Sequence, residues 1–83
     1  MNRNKYILET TYKGRPIKLI FIRKNGNNAF RNFHVRSEDD EHKFAIKYNG
    51  SVFVIEDIKS NDTTNWFYLE MEKAIELIKD ELI

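Results

Sequence analysis

The chain has 83 residues and a mass of 10.0 kDa, enough for one domain and too short for a two-domain cleft or a repeat solenoid. Lys and Arg number 14 and Asp and Glu 13, a formal net charge of +1 that hides a polarity along the chain. Up to Arg36, nine cations face Glu9 alone, a net +8; from Ser37 onward five cations face twelve acids, a net −7. Such asymmetry points to a surface made for charged partners. With no cysteine, disulfides, thiol nucleophiles and thiolate metal sites are excluded.

Five runs have strand composition, rich in β-branched and aromatic residues and bounded by turn residues. They fall at about 5–12, 16–23, 29–36, 42–49 and 51–58. Gly14, Gly26 and Gly50 lie between them. The connections are too short for parallel crossovers, so an antiparallel meander is expected. Lys13-Gly14 as a two-residue turn sets Leu8 opposite Leu19, Tyr6 opposite Phe21 and Glu9 opposite Lys18. Pro16 suits a strand start.

The loop around Asn25-Gly26-Asn27-Asn28 decides a face. An odd loop sends Phe33 and Val35 into the core, whereas an even one buries Asn32 and His34, which is costly without partners. The odd loop is therefore expected. The acidic turn Glu38-Asp39-Asp40-Glu41 then places Val35 opposite Phe44. Asn49-Gly50 reads as a type I′ turn that sets Ile46 opposite Phe53 and Phe44 opposite Ile55, with Lys43 facing Glu56 and His42 facing Asp57.

The segment 59–64 is polar and rich in helix N-cap residues. A helix is expected over about 64–82. Phe67, Met71, Ala74, Ile75, Ile78 and Leu82 share one side, Trp66 and Leu77 widen a shoulder, and Glu72, Glu76, Lys79 and Asp80 lie opposite. Asp62, Glu70 and Glu72 make its start acidic, which suits the helix dipole. The fold expected is thus α+β: a single domain over 1–83, a five-stranded antiparallel meander with one C-terminal amphipathic helix on one face.

One helix cannot cover both faces of such a sheet. The uncovered face should hold Ile20 and Ile22 with Lys18, Lys43 and Lys47, joined by Phe30, His34 and Arg36, with Arg31 nearby. Apolar patches of this kind mark interfaces. Two readings follow. A protein or nucleoprotein partner could dock there, or two copies of the chain could pack these faces together. Alternatively, basic and aromatic side chains on a sheet bind nucleic acid by phosphate contact and stacking. A second surface is acidic: Glu38, Asp39, Asp40 and Glu41 in the turn, with Glu72 and Glu76 on the helix. Dense acidic surfaces can imitate nucleic acid phosphate.

Enzymatic constellations are weak. His34 and His42 are the only histidines. No nucleophile has a place beside either, no ligand spacing suggests a metal, and each Gly is isolated, so no phosphate loop forms. No catalytic residue, metal or cofactor is expected. No apolar run approaches the ~20 residues that span a bilayer. The first residues lead into polar sequence rather than an apolar signal core, so the expected location is the cytoplasm of a bacterial or archaeal host cell. Lys, Ile and Asn number 9, 10 and 9 against three each of Ala and Gly, a bias that follows AT-rich codons. Short, cysteine-free, charge-polarised chains of that composition resemble the proteins of bacteriophages and mobile elements. The expected function is a non-enzymatic inhibitor or adaptor that docks on a macromolecular host complex, for example a host-defence nucleoprotein.

Overall fold

A computed structural model describes residues 4–24, 31–60 and 65–83. The chain forms strands β1 (Lys5–Tyr12), β2 (Arg15–Arg23), β3 (Asn32–Ser37), β4 (His42–Tyr48) and β5 (Phe53–Ser60), then helix α1 (Asn65–Leu82). The sheet order is β1-β2-β3-β4-β5 and every neighbouring pair is antiparallel, so the meander with one C-terminal helix is the observed α+β fold.

The turns explain the register. Lys13 and Gly14 have φ of 53° and 74°, the two positive values of a type I′ hairpin, and Leu8 pairs with Leu19 as expected. Arg23 pairs with Phe33 and Phe21 with Val35, so the loop parity is odd; Phe33 and Val35 are buried and His34 is exposed. Residues 25–30, Phe30 among them, lie outside the described residues. Val35 pairs with Phe44, which leaves Glu38–Glu41 as a four-residue turn. The buried Ser37 ties that turn down: its Oγ donates to Asp39 Oδ1 at 2.6 Å and accepts from the His42 N–H at 3.1 Å. The Ser37 hydroxyl contributes most, and with a second bond from the Glu41 N–H at 3.1 Å it holds the Asp39 carboxyl below its ordinary range.

The β4–β5 connection differs from the sequence expectation. Tyr48 pairs with Phe53 and Ile46 with Ile55, so the loop has four residues, 49–52, and β5 begins at Phe53. The Asn49 side chain causes this. Its Oδ1 accepts from the N–H groups of Ser51 and Val52, each at 2.9 Å, and closes a local turn that competes with the two-residue hairpin. The register moves by two residues, which leaves the side chains of β5 through Glu56 on their expected faces. A bulge then follows between Lys43 and Ala45 on β4, and Asp57 opposite it has φ of 55°. One extra residue on β5 makes Lys43 pair with Lys59 instead of Glu56, and His42 with Ser60 instead of Asp57.

Among the cross-strand rows of the covered face, two span four strands each. Tyr6, Phe21, Val35 and Phe44 make one; Arg23, Phe33, Ile46 and Ile55 make the other. The helix lays Phe67, Met71, Ala74, Ile75, Ile78 and Leu82 on them, all buried. Phe67 is the anchor at the helix start. It stacks on His42 at 5.0 Å between centroids and meets Tyr12 at 5.7 Å and Phe44 at 5.9 Å edge-on. Leu77 does not widen the buried stripe: it is 70% exposed. The first helical turn contains no acid, Asp62 lies outside the described residues, and Lys79 in the last turn complements the dipole.

Candidate binding face

The side of the sheet away from α1 is uncovered among the described residues. Alternation along the strands places Ile7 on β1, Lys18, Ile20 and Ile22 on β2, and Asn32, His34 and Arg36 on β3. It places Lys43, Ala45 and Lys47 on β4, and Val54 and Glu56 on β5. Ile20 is shielded by its neighbours and only 7% exposed, but Ile7, Ile22, Val54 and Ile58 are 40–54% exposed. The face therefore has an aliphatic floor open to solvent. Among its described residues it has no Phe, Tyr or Trp, since the tyrosines and phenylalanines of the strands alternate to the helix side.

Three of the expected cations are already neutralised. Lys18 Nζ lies 3.3 Å from Glu38 and 3.6 Å from Glu9; Lys43 lies 3.4 Å from Asp40; Lys47 lies 3.3 Å from Glu56. Glu38, with Glu9 in support, holds the Lys18 ammonium above its ordinary value. The acidic turn is thus no separate surface. Glu38 and Asp40 reach the edge of the basic face, Asp39 holds the turn, and Glu41 is exposed. Glu72 and Glu76 lie elsewhere, in a groove of about 730 Å³ between α1 and β5 that Val52, Val54, Tyr68 and Leu69 also line. Arg31 does not join the face either: its guanidinium sits 5.2 Å over the ring of Tyr48, a residue whose ring packs on Phe53.

The sequence reading missed one feature. Arg36, Lys43 and Lys59 pair in register across β3, β4 and β5 and form a cation row, with Asp40 beside its central Lys43. Like charges directly opposite destabilise a sheet. Arg36 and Lys59 have no ion pair among the described residues. Around this row is a shallow cleft of about 900 Å³ lined by Ile22, His34, Arg36, Asp40, Lys43, Ala45, Asp57, Ile58 and Lys59. Lys59 reaches it only because the Asp57 bulge resets the alternation of β5. The signal in the sequence was Asp57 itself, since Asp is one of the few non-glycine residues that adopts positive φ readily.

His42, the expected partner of Asp57, is instead part of the aromatic packing under α1. Among the described residues no three His, Asp or Glu side chains come together as a metal site, and no helix is long and apolar enough to cross a membrane. The arrangement offers chemistry for recognition: an aliphatic floor for apolar side chains and a row of cations for carboxylate or phosphate groups. Comparison with protein-family models, curated proteins and solved structures gives no match to this chain.

Proposed function

We propose that this chain is a non-enzymatic binding protein, an inhibitor or adaptor of the kind bacteriophages and mobile elements carry. It docks on a macromolecular host complex through the uncovered sheet face, in the cytoplasm of a bacterial or archaeal cell. The observation that carries the reading is the Arg36–Lys43–Lys59 row beside exposed Ile22 and Ile58. A cross-strand cation row weakens the sheet that contains it. Its presence on an aliphatic floor makes sense where an acidic, partly apolar surface covers it. Acids already paired with Lys18, Lys43 and Lys47 would repel a phosphate backbone, and among the described residues the face offers no ring for base stacking, which favours a protein over nucleic acid.

The test uses the double variant Arg36→Glu, Lys59→Glu in two assays. In nuclease-treated host extract, the wild-type protein should retain a defined complex that the variant loses. In a titration with single-stranded and duplex oligonucleotides at low salt, the wild-type protein should bind neither. Retention of the same complex by the variant would overturn the docking face. Oligonucleotide binding that weakens steeply with salt, with a log–log slope of roughly −0.7 to −0.9 per phosphate neutralised, would replace this reading with direct nucleic-acid binding.

A further inference from the structure

The two faces of this molecule complement one another. On the sheet side, Arg36 and Lys59 are the two cations of the row without an ion pair among the described residues. They stand on β3 and β5, two strand spacings apart, or about 10 Å. On α1, Glu72, at the rim of the groove toward β5, and Asp80, turned away from the sheet, are exposed acids that likewise have no ion pair among the described residues. They are eight residues apart, about 12 Å along the helix at ~1.5 Å per residue. Glu76 lies between them, as Lys43 lies between Arg36 and Lys59. Near this acidic stripe Leu69 is 55% exposed and Ile83 51%, while the cation row is flanked by Ile22 and Ile58, each 40% exposed. Spacing, charge sign and apolar flanks match.

We infer that the sheet face is a docking site for the outer helix face of a second copy of this chain. The donor helix lies across β3, β4 and β5, with Glu72 and Asp80 against Arg36 and Lys59, and Leu69 near the exposed isoleucines. The contact is heterologous: each copy offers its helix to one neighbour and its sheet to another, so layers alternate sheet, helix, sheet, helix. This differs from a face-to-face dimer, which would set cation row against cation row. Lys73 and Lys79 do not repel the docked face strongly, because Glu70 and Glu76 hold them at 3.6 and 2.9 Å. The inference does not rest on the host-docking reading; if both hold, self-association and partner docking compete for one face.

Sedimentation equilibrium of the full chain, from micromolar to millimolar protein at low and high salt, tests it. The weight-average mass should rise above 10.0 kDa with concentration at low salt, and salt should reverse the rise. Two variants then assign the faces: Arg36→Glu with Lys59→Glu, and Glu72→Lys with Asp80→Lys. Each should weaken self-association by at least about tenfold. An equimolar mixture of the two should associate again, since each supplies what the other has lost. Far-UV circular dichroism confirms that both remain folded. A chain that stays monomeric at millimolar concentration and low salt overturns the inference. So does a helix variant that associates like the wild type, or a mixture no more associated than its parts.

Discussion

Replacing Phe67 by Ala tests how the helix is fixed to the sheet. Phe67 is 1% exposed and meets three rings: His42 at 5.0 Å, Tyr12 at 5.7 Å and Phe44 at 5.9 Å. Truncation removes the buried ring and leaves a cavity against β1 and β4, a change that costs about 3–5 kcal/mol. The whole domain, at roughly 0.05–0.15 kcal/mol per residue, has only about 4–12 kcal/mol to lose. Phe67→Ala should therefore take away roughly a quarter of the stability or more, and lower Tm by over 10 °C at the ~4–8 °C per kcal/mol expected of a domain this size. Urea unfolding followed by far-UV circular dichroism measures the loss. Two controls locate it. Phe67→Leu keeps most of the apolar volume and should cost about 1–2 kcal/mol. Leu77→Ala removes a side chain that is 70% exposed and should stay within about 0.5 kcal/mol of wild type. A Phe67→Ala loss under about 1 kcal/mol would refute the aromatic anchor.

Ser37→Ala leaves the His42 N–H without its acceptor at a buried strand end and should cost about 1–2 kcal/mol in the same urea experiment. Asp39 titrates below its ordinary value of 3.8 because the Ser37 hydroxyl and the Glu41 N–H favour its charged form. The stability it adds is complete above pH 3.8, declines as pH falls through the depressed folded value and is gone below it, so Asp39→Asn should flatten thermal stability measured across that acid range. Lys59→Glu breaks the cation row and sets an acid opposite Lys43. It should raise stability by about 0.2–1 kcal/mol while weakening both proposed contacts of the face; a destabilised variant would remove the argument that the row is present at a cost.

The meander was legible because its turns were. Lys13-Gly14 supplied two residues that adopt positive φ, and the cost of burying Asn32 and His34 chose the loop parity before Phe33 or Val35 had any visible neighbour. The core stripe of α1 followed from spacing alone, from Phe67 to Leu82. Asn49-Gly50 was misread because one dipeptide supports two turns, and its side-chain bonds to Ser51 and Val52 favour the longer one. The two-residue offset kept the residues of β5 through Glu56 on their faces, so the error never reached the core. Charge was the least legible property. Lys18 and Glu38 are twenty positions apart, and only the folded turn brings their side chains to 3.3 Å. The cation row was hidden for a related reason: Lys59 joins Arg36 and Lys43 through a backbone irregularity at Asp57 that strict alternation does not contain.

That irregularity also governs how the protein behaves in a crowded solution. β5 is an edge strand, and Phe53-Val54-Ile55 is the sort of sequence that recruits further strands into fibrils. The bulge limits the flat stretch to the four residues from Phe53 to Glu56 and turns the rest of the strand away from any incoming chain. Deleting Asp57 would straighten β5 and lengthen that template while removing Lys59 from its row. Insertions and deletions at this point should therefore be tolerated far less than substitutions.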